Sequence, residues 1–485
     1  MMQRIERVLI LVLDGLRPDL VTPDTMPFLS SLERQGLRLT HYTAAYPPHT
    51  RVQVTTMCTG TYPSQHGIVS NVMVLDGLPE DGVLDTSDFR QLKMLDELTD
   101  GQAVLRAPLA DLLAEQGKRF AIAATGSTGS TWLWARTQPY RVVNPRSTFG
   151  IPDLASLREK LGEPPEPDAP SLDLARYALT AVRDLFLPDP EIAVTVLWLN
   201  EPDATFHFAG LGSTESLNIQ RALDTLLEGF FDDLVTRGFL DHLLVFLLSD
   251  HGQSTPHRHR SLRELLREAP PTPALKNLVP AADFLFRLPG TSLPRPQELQ
   301  RLTEWLLDQS WVGAVLAHPE LAPDLPGTLD LSLVWGGRFE PFALRRLPVI
   351  AVSPAWDSKP NAYGIPGSVA ALTEQVALRS THGAGSPFDL RAYALLFGPG
   401  IRAGESSAIP AGVIDIAPTI AAALGFPSSS AFSGRILHEA FDTRWQPTLQ
   451  HQTIRSQFDR CLRGMQVGST FYLDEISGTQ VHECE

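Results

Sequence analysis

Five short runs of apolar residues, 8–13, 120–124, 192–199, 243–248 and 392–397, recur along the chain with almost no polar interruption. A strand with one wet face alternates apolar and polar residues, whereas a strand covered on both faces reads as a continuous Val, Ile, Leu and Phe run. Runs of this length are also too short to cross a bilayer. Longer stretches with helical spacing lie between them. Residues 25–35 carry Met26, Leu29 and Leu32 on one face and stop at Gly36, and residues 106–116 stop at Gly117. Residues 214–237 follow Ser213 as N-cap and stop at Gly238. This alternation predicts an α/β fold: a central, mostly parallel sheet with helices on both faces.

The rhythm breaks over 256–376, where Pro270-Pro271, Leu288-Pro289-Gly290, Pro326-Gly327 and Gly336-Gly337 signal turns. A small α+β insertion covering one edge of the sheet is expected there. The chain then divides into a catalytic α/β body over 1–255 and 377–440, an inserted subdomain over 256–376, and a C-terminal extension over 441–485 packing on the core. Segments 72–104 and 140–170 read as loop-rich excursions, with a surface linker at 162–167. The balance of 55 acidic against 40 basic residues gives a formal charge of −15. That argues against nucleic acid or an anionic membrane as partner, because phosphate backbones call for clustered Lys and Arg. Three cysteines, Cys58, Cys461 and Cys484, are too few for a disulfide scaffold. They point to a reducing compartment, with a Cys461–Cys484 bridge left open. With no cleavable leader visible, a soluble, cytoplasmic protein is expected.

In open α/β sheets ligands gather where the strands end. Run 8–13 delivers Asp14, run 192–199 delivers Asn200 through His207, and run 243–248 delivers Ser249-Asp250-His251-Gly252. Asp203 and His207, four apart, would share one face of a helical turn. Three aspartates and two histidines form the mixed oxygen and nitrogen donor set that suits zinc. Each has a plainer role available: Asp before Gly is a common turn former, and Asp203 with His207 makes an ordinary helix start with a surface histidine. Their shared placement at strand ends favours the metal reading.

In Tyr46-Pro47-Pro48-His49-Thr50-Arg51, the prolines stop any preceding element and a helix can run from Thr50 to Gly60. Thr50 then lies where free backbone N–H groups and the helix dipole favour an anion. It is either a plain N-cap or a hydroxyl nucleophile activated by an adjacent metal. Arg51 is either a planar donor to phosphate oxygens or a solvated charge. A serine hydrolase is excluded, because Gly126-Ser127-Thr128-Gly129-Ser130 lacks the nucleophile-elbow spacing. That turn reads as a strand-to-helix loop bordering the site. Trp132, Trp134 and Phe206 are candidates to stack a nucleobase, against a default role in packing.

The chain resembles the alkaline phosphatase superfamily, most closely its nucleotide pyrophosphatase/phosphodiesterase branch. The resemblance runs through Leu11-Val12-Leu13-Asp14-Gly15-Leu16-Arg17-Pro18, Tyr46-Pro47-Pro48-His49-Thr50, and Thr59-Gly60-Thr61-Tyr62-Pro63-Ser64-Gln65-His66-Gly67-Ile68. It continues through Asn200-Glu201-Pro202-Asp203 with His207, Ser249-Asp250-His251-Gly252, Ser380-Thr381-His382-Gly383 and the late helix from Val413 to Thr419. It implies two zinc ions, one held by Asp203, His207 and His382, the other by Asp14, Thr50, Asp250 and His251. It also implies hydrolysis of phosphodiester or nucleotide pyrophosphate bonds in a small phosphate-ester substrate, a nucleotide among them, through a covalent phospho-threonine on Thr50. Asn71 falls where the family places an amide on the phosphoryl oxygen; unaided, it reads equally as a loop residue bonding its own backbone. His66 reads as a buttress of the nucleophile helix, and His257 and His259 as surface residues of a basic loop. Pro48 departs from the Asn common before the nucleophile. Arg51 is similar to an arginine of the sulfatases and would favour a phosphate monoester dianion. A phosphomonoesterase or phosphonate hydrolase is therefore the alternative, with a catalytically inactive binding protein as a remote one.

Overall fold

Alternate residues of the apolar runs face opposite ways, and both sets are buried. In the computed structural model, which describes residues 5–79, 81–137, 140–147, 154–168, 171–426 and 431–477, the central sheet has eight strands. They are β1 (Arg7–Leu13), β2 (Gly36–Leu39), β3 (Arg119–Ala124), β4 (Arg141–Val143), β5 (Ile192–Leu199), β6 (Leu243–Leu248), β7 (Ala394–Phe397) and β8 (Glu405–Ser407). Their order is β8-β2-β7-β6-β1-β5-β3-β4. Val8, Ile10 and Val12 of β1 join one core cluster, whereas Leu9, Leu11 and Leu13 join the other. β6 divides in the same way: Leu244, Phe246 and Leu248 against Leu243, Val245 and Leu247.

Helices Thr50–Thr59, Leu109–Glu115, Thr128–Ala135 and Ile416–Ala423 contribute to the first cluster. Helices Pro27–Leu32, Ser171–Ala181 and Thr214–Thr236 contribute to the second. The expected N-cap holds: Ser213 accepts from the backbone N–H of Ser216. The sheet is parallel from β6 through β1, β5 and β3 to β4. The run at 392–397 differs from expectation. It starts at Ala394 and lies antiparallel to both β6 and β2. An apolar run reports burial on both faces and carries no information on strand direction. The polar-rimmed strands β2, β4 and β8 gave no such run.

The segment 256–376 holds a second sheet of Leu278–Ala281, Phe284–Arg287, Ile350–Pro354, Val312–Ala317 and Leu329–Asp330, in that order, with helix Pro296–Leu307. Its outer residues Leu285, Val315 and Val352 form a separate core with Leu299, Leu302 and Leu306 of that helix. Its inner residues Phe284, Phe286, Ala314 and Leu316 join the first cluster. It rests on a hairpin of Val72–Val74 and Val83–Asp85 and on the C-terminal strand Thr470–Ser477. Its inner face therefore packs on these two elements. His257 and His259 lie in strand Thr255–His259, paired with Pro366–Ala371, and not in a loop. The excursion at 72–104 is likewise ordered as that hairpin and helix Phe89–Leu98.

The C-terminal strands Leu449–Arg455, Cys461–Val467 and Thr470–Ser477 pair antiparallel. They are fastened to the body by Tyr62 OH donating to Phe471 O (3.0 Å) and Tyr472 OH donating to Asp415 (2.8 Å). Cys484, considered as a partner for Cys461, lies outside the described residues. Among the described residues no helix is long and apolar enough to cross a membrane.

Candidate active site

Parallel strands β1, β5 and β6 end side by side, so the residues that follow them meet. Asp14, Asp250 and His251 are fully buried. His251 Nε2 lies 3.5 Å from Asp14 Oδ1 and 3.3 Å from Asp250 Oδ2. Helix Asp203–Ala209 puts His207 one turn beyond Asp203, with Nε2 3.3 Å from Asp203 Oδ1. His382 arrives from the loop before β7 and stacks on His251, ring centroids 3.7 Å apart. Its Nε2 is 3.9 Å from Asp203 Oδ1. Thr50 Oγ1 stands 3.3 Å from His251 Nε2. The N-cap of its helix is His49, so Thr50 is the first helical residue and its hydroxyl does no capping.

The three imidazoles are anchored alike. His251 Nδ1 meets Gly252 O at 3.0 Å, His207 Nδ1 meets Ser380 O at 2.8 Å, and His382 Nδ1 meets Pro48 O at 2.6 Å. A carbonyl only accepts, so each Nδ1 carries a proton and each Nε2 is the ring nitrogen turned toward the site. A metal-binding histidine is held in this way. Asp14 Oδ1 and Asp250 Oδ2 are buried with no hydrogen-bond partner among the described residues, whereas their other oxygens accept from Trp198 Nε1 (2.9 Å) and Gly15 N (3.1 Å). Buried orphan oxygens facing imidazole nitrogens call for a cation. Burial and the charges of Asp250 and Asp203 push the Asp14 carboxyl well above its ordinary range. Burial pushes Asp250 up as well. The donors therefore fit a metal in two groups, Asp14 with Asp250 and His251, and Asp203 with His251 and His382. His251, expected at one ion only, stands between the two groups.

A cavity of about 410 Å³ opens over these donors, lined among others by Asp14, Thr50, Arg51, Asn71, Asp203 and His382. Asn71 Oδ1 accepts from the Arg51 backbone N–H at 3.2 Å, leaving its Nδ2 donors for the cavity. Burial lowers the Arg51 pKa, opposed by Asp85, Asp14, Asp203 and Asp250. The Gly126–Ser130 turn borders the cavity, with Ser127 capping helix Thr128–Ala135. Trp132, Trp134 and Phe206 do not line it. Trp134 stacks on Phe120 in the core, centroids 5.9 Å apart, and Phe206 is fully buried. Trp198 and Phe208 line the cavity instead.

With this geometry in hand, the chain can be set beside known proteins. The type I phosphodiesterase / nucleotide pyrophosphatase model matches residues 8–309, more than half of the chain. The chain belongs to that family. The structure is similar to that of murine ectonucleotide pyrophosphatase/phosphodiesterase 5 in an inactive threonine-to-alanine variant bound to AMP. The TM-score is 0.61 at 15% identity, over 90% of this chain and 98% of that one. A second structure of the murine protein gives 0.59 at 16% identity, over 87% and 96%. No curated protein matches in sequence. At these identities the structural likeness shows the shared α/β fold, and the family is one of phosphodiesterases and pyrophosphatases.

Sequence reasoning missed three residues of the site's surround. Trp198 interrupts an aliphatic strand, and a buried indole N–H needs an acceptor; Asp14 supplies it. Gln253 and Ser380 sit beside the aspartate and histidine strings but carried no pattern of their own.

Proposed function

We propose that this chain hydrolyses phosphate esters, most favourably phosphodiester or nucleotide pyrophosphate bonds, with Thr50 as nucleophile. The observation that carries the reading is the convergence of three imidazoles, each held through Nδ1, with two orphan carboxylate oxygens, His251 Nε2 lying 3.3 Å from the Thr50 hydroxyl. Two zinc ions, one at Asp203, His207 and His382 and the other at Asp14, Thr50, Asp250 and His251, would supply the positive charge that acidifies a hydroxyl and stabilises a leaving oxygen. Thr50 gives its hydroxyl proton to solvent and its Oγ bonds to phosphorus as the bond to the leaving oxygen breaks, giving a phospho-threonine and an alkoxide or phosphate that takes a proton back from solvent. Water then attacks the same phosphorus and frees Thr50. Asn71 Nδ2 and Arg51 donate to the non-bridging oxygens, so the side chains mainly position and neutralise. A nucleotide is a supported substrate class, because the similar murine protein holds AMP.

Arg51 beside the nucleophile favours a second reading, a phosphomonoesterase or phosphonate hydrolase on the same residues. A panel of nitrophenyl esters (diester, monoester, phosphonate ester and sulfate), run on protein of measured zinc content, separates them. The diester is expected to turn over fastest. A strong preference for the monoester would overturn the diesterase reading, and no turnover at full zinc loading would leave a binding protein.

A further inference from the structure

Gln253 follows the Asp250-His251-Gly252 string and is fully buried, yet it is neither nucleophile nor ligand. Its Nε2 donates to Asp203 Oδ1, and its Oε1 accepts from the Ser380 hydroxyl. The carboxylate of Asp203 only accepts, which fixes the way the amide points: the NH₂ end faces Asp203 and Oε1 is left for the Ser380 hydroxyl. The backbone carbonyl of the same Ser380 holds His207 Nδ1 at 2.8 Å, and His382 lies two residues further on. One amide thus ties the carboxylate of Asp203 to the loop that orients His207 and carries His382.

The strut is itself clamped. Arg17, buried under the site, donates through Nη1 to Gln253 O at 3.0 Å and to Pro366 O at 2.8 Å. Room for the amide comes from Gly15, which sits at φ +68°. A Cβ there would stand 2.6 Å from Gln253 Nε2 and 2.9 Å from Asp203 Oδ1. Asp14-Gly15-Leu16-Arg17 therefore does more than deliver Asp14. Its glycine leaves the space that Gln253 fills, and its arginine holds the Gln253 backbone.

We propose that Gln253 is a positioning residue for the Asp203 half of the site, aiming the Asp203 carboxylate at the ion that His207 and His382 share and leaving the Asp14 half untouched. This rests on the reading that these side chains hold an ion. An oxygen of a carboxylate has two lone pairs, so the bond from Gln253 leaves Asp203 Oδ1 able to bind metal while removing its freedom to rotate. Loss of such an orienting partner weakens metal binding by about tenfold to a hundredfold.

The test is a zinc titration of chelator-stripped protein against a chromophoric competitor, on wild type, Gln253→Met and Ser380→Ala, with metal-free melting curves alongside. Wild type is expected to bind two ions. Gln253→Met should weaken one of them about tenfold or more and leave the other unchanged. Ser380→Ala, which removes the hydroxyl that steadies Oε1 but keeps the bond to Asp203, should weaken the same ion by less. Adding Gln253→Met to Asp203→Asn should cost nothing further, since the strut then holds no carboxylate. Unchanged affinities, equal loss of both ions, or additive losses in the double variant would overturn the proposal. Should Gln253→Met fail to fold, Ser380→Ala decides alone: selective loss supports the strut and unchanged binding refutes it. A wild type that binds no zinc would instead refute the reading of the site, and this proposal with it.

Discussion

Replacing Thr50 by alanine and by serine separates catalysis from folding. Thr50 is buried at the first position of its helix, and among the described residues its hydroxyl reaches only His251 Nε2, at 3.3 Å. His251 Nδ1 is committed to Gly252 O, so Nε2 must accept and the threonine hydroxyl must donate. Thr50→Ala strands that acceptor in the metal-free chain, at a cost of about 1–3 kcal/mol. In a chain of this size that moves the melting temperature by only about 1–3 °C. Catalysis should suffer far more, because the route loses its nucleophile: a fall on the order of 10⁴-fold or more in kcat. Thr50→Ser keeps the oxygen but frees χ1 among three wells, an entropy cost of about 0.6 kcal/mol, or roughly threefold in rate. The assay is nitrophenyl diester hydrolysis with zinc measured on each sample, followed by acid quench and peptide mass analysis for a phosphoryl group on the Thr50 peptide. Serine is expected to retain the label and most of the rate, alanine neither, at near-normal zinc content. An alanine variant with a tenth or more of wild-type turnover would refute the covalent route.

Arg51→Ala should cost the monoester about tenfold more than the diester, because a dianion gains more than a monoanion from a neighbouring guanidinium; paired kcat/KM values for the two esters check it, and equal losses would remove Arg51 from charge selection. The buried Asp389 accepts from Ser254 Oγ and from Ala384 N (2.9 Å), yet burial still pushes its pKa up to about 7. A folded pKa above the unfolded one means that the native chain keeps a proton the unfolded chain has lost, so this contribution to stability falls as pH rises from about 4 to about 7. Between pH 5 and 7 the metal-free wild type should lose on the order of 2 kcal/mol more than Asp389→Asn does. Denaturant melts at both pH values would show it, and parallel losses in the two proteins would place the Asp389 proton elsewhere.

What could be read from the sequence tracks which physical signals are local. The buried strands declared themselves because burial on two faces leaves a run with almost no polar residue. The clustering of Asp14, Asp203 and Asp250 could be read because parallel strands place their C-terminal ends together. His382 was visible only through family resemblance. It follows no apolar run, and what brings it in is a loop pinned by Pro48 O, more than three hundred residues away in the chain. The antiparallel course of β7 was hidden for a related reason, since direction depends on the path of the chain and not on the strand's own residues. Trp132, Trp134 and Phe206 misled in the opposite sense. Large aromatics serve a core and a binding wall equally well, and only packing shows that Trp134 faces Phe120 while Phe208 stands at the cavity.

Charge gives a last constraint on the substrate. A chain at −15 repels phosphate at long range. On the proposed reading three of those acids bind metal, and two divalent ions bring the total only to −11. Attraction must therefore be local, from the metal pair, the start of the nucleophile helix and Arg51, all at one cavity of about 410 Å³. A long polyanion would extend beyond that cavity into the field of a net-acidic chain. A single phosphate ester with a compact leaving group places its charge where the field is favourable and keeps the rest of its mass against Trp198, Phe208 and the Ser127–Ser130 turn. On the proposed reading, the same charge imbalance favours small, pocket-sized esters.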